Sequence, residues 1–210
     1  MIGDMAKSNK KINNESLRID KFEIRRKVFH IILGLVLSIL IYLGFLQTWM
    51  VAVIILLGIF LSLNHKQIPI IKKMLYIFDR KEHIESMPGR SVIYLFLGVL
   101  LIMLLFDKNI VLASMMIWTF GDSAASLISK HYGKIKHVWN NKKLVEGTVA
   151  GIIIGTLTAS IFVSWTYALI ASIIAMIVES MDIVLYKENL DDNLLIPLIS
   201  GAVIFLITII

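Results

Sequence analysis

The sequence predicts an all-α, polytopic integral membrane protein with about seven transmembrane helices and a cytoplasmic amino terminus. Three observations carry this expectation. Hydrophobic residues make up 58% of the 210 positions and charged residues only 17%, a composition far from that of soluble globular domains. Apolar runs of roughly spanning length recur seven times. When these runs are threaded in order, every Lys and Arg except Lys108 falls on one side, the side that the positive-inside rule makes cytoplasmic. A soluble chain of this size has too little interior to bury so much apolar surface, whereas a bilayer accepts it.

Residues 1–27 are too polar for a secretory signal, and the apolar run after them is too long for a signal core, so a retained first span is expected. Arg18, Lys21, Arg25, Arg26 and Lys27 form a basic stripe at helical spacing, suited to the membrane surface. The expected spans are Val28–Phe45, Trp49–Leu63, Val92–Phe106, Ile110–Ile128, Thr148–Ser164, Tyr167–Met181 and Leu194–Ile210. Short turns at Leu46–Thr48, at Asp107–Asn109 and near Trp165 alternate with charged cytoplasmic loops over residues 64–91, 129–147 and 182–193. Pro69 suits the first turn of a second interfacial helix, with Ile71, Leu75 and Phe78 opposite Lys72 and Lys73. Residues 28–210 thus read as one transmembrane catalytic domain. The lack of cysteine excludes disulfides, thiolate metal sites and cysteine nucleophiles. The net charge of +6 is read as topology and as attraction to anionic lipid or phosphate, with no nucleic-acid partner expected.

An ionisable group within a span costs about 2.5–3.5 kcal/mol on insertion scales, so each one requires a reason. Asp122 follows Gly121 late in the fourth run, and Ser123, Ser126, Ser129 and Lys130 make that helix end small and polar. Serine hydrogen bonding between helices accounts for the serines but not for the carboxylate. The lysine-rich segment from Lys130 to Lys143 then leads into Glu146, Gly147 and Thr148. A carboxylate at each end of a basic loop suits a metal-bound polyphosphate: carboxylates hold Mg²⁺ and lysines meet the remaining phosphate charge. Gly147, Gly151 and Gly155 recur every fourth residue and predict a helix-packing seam. Glu179 and Asp182 share a face at the end of the sixth run. Asp192 and Asn193, just before the seventh, suit either a helix cap or a functional role. Arg26 and Lys27 lie beside His30, one turn deeper. Snorkelling is the simple account of the two cations, whereas a neutral imidazole at that depth would donate or accept a hydrogen bond. No nucleotide-binding, zinc-protease or nucleophile-elbow motif of the familiar soluble folds is present.

In order along the chain, Gly121-Asp122-Ser123-Ala-Ala-Ser126, Lys142-Lys143-x-x-Glu146-Gly147-Thr148 and Asp192-Asn193-Leu194-Leu195-x-Pro197-Leu198 resemble the motifs of the dolichol kinase, phytol kinase and CTP-dependent diacylglycerol kinase family. That family is related to the phosphatidate cytidylyltransferases. Lys27 and His30 are similar to its basic-x-x-His pattern, and the resemblance covers roughly residues 25–200. It implies an integral membrane kinase that passes a phosphate, usually from CTP with a divalent cation, to the hydroxyl of a polyprenol, another isoprenoid alcohol or a diacylglycerol. Two departures stand out: Ser129 where members often have glycine, and Leu144 where many have serine or threonine.

On this resemblance Asp122 and Glu146 are expected to gather Mg²⁺, with Lys130, Lys142 and Lys143 meeting the triphosphate of CTP. Lys27, Ser123, Thr148, Asp192 and Asn193 join the expected nucleotide or phosphate contacts, and Glu179, Asp122 or His30 is the base. The lipid alcohol would lie between helices, with its hydroxyl at the cytoplasmic rim of what is expected to be the cell membrane. The same groups would serve a cytidylyltransferase making a CDP-lipid. A transporter of phosphate or anionic lipid is the reading from another class, although ionisable residues at one face do not line a path through the midplane.

Overall fold

An apolar helix satisfies every interior backbone group within itself, so long apolar runs fold as helices where water is absent. The computed structural model describes residues 23–65, 68, 89–141, 143–181, 183–185 and 188–209. Among these residues it is all-helical apart from an antiparallel pairing of Val184–Leu185 with Glu188–Asn189 and an isolated bridge between Lys136 and Leu144. The basic positions before residue 23, the amphipathic segment from Pro69, Lys142 and Asp182 lie outside the described residues.

Among the described residues, seven helices follow the order of the seven apolar runs. They are α1 (23–42), α2 (Thr48–Leu63), α3 (Arg90–Leu105), α4 (Lys108–Tyr132), α5 (Val145–Ala159), α6 (Trp165–Ser180) and α7 (Asp192–Ile209). By length and composition α4 and α7 suffice to cross a membrane, while α2, α3, α5 and α6 are apolar but shorter. The fifth helix was expected to reach Ser164 and stops at Ala159. The amides of Phe162 and Val163 turn back onto the Ala159 carbonyl there.

Polarity is arranged inside out. Leu56, Leu57, Phe60, Leu63, Leu104 and Leu157 are exposed, whereas Lys27, Asp122, Glu179 and several hydroxyls are buried. Along α1 the inward positions are Lys27, Gly34, Leu37, Ser38 and Ile41, with Val28, Ile32 and Val36 outward, as a helix with one protein-facing stripe requires. The centre is α4, whose Leu112, Ala113, Met115, Ile117 and Trp118 are fully buried.

α5 lies against α4 along the expected glycine seam. A Cβ on Gly151 would meet the Gly121 carbonyl at 2.9 Å and the Met176 sulfur at 2.6 Å, so only glycine permits this approach. Within α4 the turn Ile117–Asp122 is a π-helix, a form that re-aims side chains and often marks functional segments. Pro197, inside α7, cannot donate to the Asn193 carbonyl four residues before it. That carbonyl lies against Gly98 of α3, where a Cβ would be 2.8 Å away. These two irregularities, in α4 and at the start of α7, flank the same polar centre.

Candidate active site

The polar centre forms where the π turn of α4, the end of α6 and the start of α7 meet. Asp122 closes the π turn, Glu179 stands one residue from the end of α6, and Asp192 begins α7. Each carboxylate offers an oxygen, and the three oxygens lie within 4.8 Å of one another. Asp122 and Glu179 are buried and Asp192 is half-buried.

Two ammonium groups hold this acidic trio together. Lys27, carried by α1, donates to Asp122 Oδ2 at 2.6 Å from a buried position. Lys143 bonds Glu179 and stands 3.5 Å from Asp192 Oδ2. Partial burial pulls the Lys143 ammonium toward neutrality, but the Asp192 and Glu179 carboxylates outweigh it and hold its pKa above the usual lysine range. Ionised throughout, three carboxylates against two ammoniums leave one formal negative charge. In a poorly hydrated setting an uncompensated charge is costly, so the arrangement favours capture of either a proton or a further cation.

Asp192 is free to face the trio because its neighbour performs the capping. Asp191 Oδ1 accepts the Asn193 amide at 3.0 Å, and the Asp191 carbonyl accepts from Leu194 and Leu195. The cap expected at Asp192 or Asn193 thus belongs to Asp191. Asn193 ties the neighbouring elements together: its Oδ1 accepts from Trp118 Nε1 at 3.1 Å, and its Nδ2 donates to Ser91 O at 3.3 Å. His30 packs on the Trp118 ring at a centroid distance of 4.0 Å. Its Nε2 lies 3.3 Å from Trp118 O and 3.7 Å from Asp122 Oδ2. A carbonyl only accepts, so a hydrogen bond there places the proton on Nε2 and leaves Nδ1 as an acceptor.

The structure brings Asp122, Glu179, Asp192, Lys27, His30, Asn193 and Lys143 together. Lys27 was expected on the simple account to snorkel outward; it is turned inward onto Asp122, while Arg26 pairs with Glu23. Glu146 does not join the trio: its carboxylate accepts from the Lys134 and Ile135 amides. The Ser123 hydroxyl donates to Thr119 O in its own helix at 2.7 Å. Thr148 Oγ1 is buried 2.8 Å from His137 Nε2. Lys130 is exposed at the end of α4, and Lys142 lies outside the described residues. Both departures from the family pattern pack against glycines, Ser129 on Gly147 and Leu144 on Gly133.

Trp118 is the site residue that sequence reasoning missed. Its one signal was spacing, an indole four residues before Asp122, and a buried aromatic is ordinarily a packing residue.

Hard oxygen donors at this spacing fit Mg²⁺ better than a soft metal, and lysines beside them fit phosphate. Such a centre can hold a metal-bound polyphosphate with the reacting group beside an imidazole.

No family model matches the chain, and no solved structure does. Among curated proteins it is similar to an uncharacterized protein of Methanocaldococcus jannaschii, 27% identical over 186 residues, covering 87% of this chain and 92% of that protein. It is also similar to the CTP-dependent diacylglycerol kinase 1 of Saccharomyces cerevisiae, 25% identical, covering 87% of this chain and 72% of the kinase. A probable chloroplastic phytol kinase of Triticum aestivum is 29% identical over 56% of this chain and 44% of its own length.

Proposed function

We propose that this chain, whose relatives support its place in the polyprenol and diacylglycerol kinase family, is a membrane-embedded lipid kinase. It transfers the terminal phosphate of a nucleoside triphosphate, CTP by preference, to the hydroxyl of a lipid alcohol of the polyprenol or isoprenoid class. The observation that carries this reading is the trio of Asp122, Glu179 and Asp192, drawn from three helices and flanked by Lys27 and Lys143. Relatives named for CTP-dependent diacylglycerol kinase and for phytol kinase support the donor and the alcohol acceptor.

The seven helices span the cell membrane with a cytoplasmic amino terminus, so the centre opens at the cytoplasmic rim. That rim is the depth at which a soluble nucleotide and a lipid hydroxyl can meet. Phosphoryl transfer needs chiefly alignment and charge neutralisation. Asp122, Glu179 and Asp192 would hold Mg²⁺, which would supply neutralisation of the phosphate charge. Lys27 and Lys143 exchange part of their carboxylate contact for phosphate oxygens as the nucleotide enters. His30 takes the proton of the lipid hydroxyl at Nδ1, oriented by its contacts with Trp118. The exposed α1 stripe of Val28, Ile32 and Val36 faces acyl or prenyl chains, which it contacts without selecting among them.

The test is incubation with γ-labelled CTP or ATP against geranylgeraniol, phytol, dolichol and diacylglycerol in mixed micelles. Label in a lipid phosphate, with CDP as the other product, is the expected result. Diacylglycerol as the preferred acceptor would narrow the chain to the activity named in its yeast relative. Pyrophosphate and a CDP-lipid would replace the kinase with a cytidylyltransferase.

A further inference from the structure

Residues 133–141 and 143–144 lie between α4 and α5 as a strap closed at both ends. At its base the Val145 amide donates to Ile135 O at 2.9 Å and the His137 amide to Lys143 O at 3.2 Å. At its tip, Trp139 Nε1 donates to Ser180 Oγ at 3.1 Å and Asn140 Nδ2 to Ser180 O at 3.0 Å. Both tip bonds end on the residue next to Glu179. Lys143, on the returning limb, reaches Glu179 and Asp192.

One carboxylate closes the base. Glu146 Oε1 accepts from the Lys134 amide at 2.9 Å and the Ile135 amide at 3.1 Å, and Oε2 receives Ile135 at 3.2 Å. Two successive amides converging on one side-chain oxygen form a clasp. Directly above it, buried His137 bonds Thr148 at 2.8 Å and stacks on Trp139, continuing the brace to the tip. The carboxylate oxygens are committed to the strap and lie outside the metal-holding trio.

We infer that Glu146 is a positioning residue: it latches the strap 133–144 by its backbone and so delivers Lys143 to the phosphates held at Asp122, Glu179 and Asp192. The inference rests on the kinase reading for its consequence in turnover, but the latch is a property of the fold. A metal ligand requires a carboxylate's charge, whereas a latch requires only an acceptor at Oε1, which the glutamine amide oxygen also supplies.

The experiment compares full-length Glu146→Gln, Glu146→Ala and Asp192→Asn proteins with the unaltered chain. It measures amide deuterium exchange over 133–144, KM for CTP and half-saturating Mg²⁺. Glu146→Ala speeds strap exchange and raises KM for CTP, each by about tenfold, the scale of one net hydrogen bond. Its Mg²⁺ requirement stays unchanged. Glu146→Gln stays close to the unaltered chain in all three measurements, whereas Asp192→Asn raises the Mg²⁺ requirement without loosening the strap. Unchanged strap exchange in Glu146→Ala would overturn the inference, as would a Glu146→Gln protein that needs more Mg²⁺. If the alanine protein does not fold, the glutamine protein decides: unchanged exchange with an unchanged Mg²⁺ requirement supports the latch, and faster exchange or a raised Mg²⁺ requirement overturns it. Exchange needs no turnover, so the latch is decided even if no lipid accepts phosphate, an outcome that removes the kinase reading alone.

Discussion

Asp191 and Asp192 are adjacent, yet the first spends its side chain on the Asn193 amide and the second faces Glu179 and Asp122. Removing the cap should therefore act differently from removing the ligand. Asp191→Ala is expected to cost about 1 kcal/mol of stability, read by thermal unfolding in detergent, because one helix amide loses its acceptor. Asp192→Asn should unfold near the unaltered temperature but lose roughly 100-fold in lipid kinase rate, the order seen when one preorganised electrostatic contact is removed. Lys143→Ala leaves the buried Glu179 carboxylate without the cation that bonds it. Stranding a buried charge costs about 3 kcal/mol or more, so this variant should lose both stability and nucleotide affinity, with Lys143→Arg recovering part of each. Equal unfolding temperatures for Lys143→Ala and the unaltered chain would contradict the pairing.

At the scale of elements, the polar centre depends on helices that approach more closely than side chains normally allow. Gly151 on α5 touches the π turn of α4 through the Gly121 carbonyl, and Gly98 on α3 makes room for the Asn193 carbonyl of α7, to which Pro197 cannot donate. Gly151→Val should force these backbones apart at a cost of about 1–3 kcal/mol in detergent unfolding, the usual range for overpacking a filled interior. Gly58, on α2, has nothing closer to a built Cβ than Ile93 Cγ1 at 3.8 Å. Gly58→Ala should be neutral or stabilising by up to about 1 kcal/mol, since alanine is the better helix former. A Gly58 variant as damaging as the Gly151 variant would mean that any side chain added at a helix glycine, and not the close approach at the seam, sets the effect. The seam was legible in advance because a four-residue repeat places small residues on one helix face whatever the partner. The π turn was not, because residues 110–116 before it are buried on every side, so a shift of helix phase leaves no mark in an apolar pattern that has no polar face.

For the whole molecule, the absence of cysteine makes the proposed arrangement in the membrane directly testable. A cysteine at Lys134 or Lys136, exposed on the strap, should resist an impermeant maleimide applied to intact cells and react after the inner face is opened. A cysteine at Lys108, at the start of α4, should react from outside. Labelling of both from the same side would remove the seven-span threading. The sequence by itself determined the order of the seven helices, the turn positions to within a few residues and the glycine contact face. These follow from hydropathy and the 3.6-residue period, which are local properties of the chain. Tertiary structure alone decided which carboxylates meet. Asp122 was marked as functional, yet its partners proved to be Glu179 and Asp192, while Glu146, close to the lysines in sequence, turned to the strap amides. Convergence of side chains from α4, α6 and α7 depends on helix rotation, on a π turn that re-aims one residue and on a cap that releases another. Each of these is set by packing between segments far apart in the chain, where neighbouring residues carry no record of it.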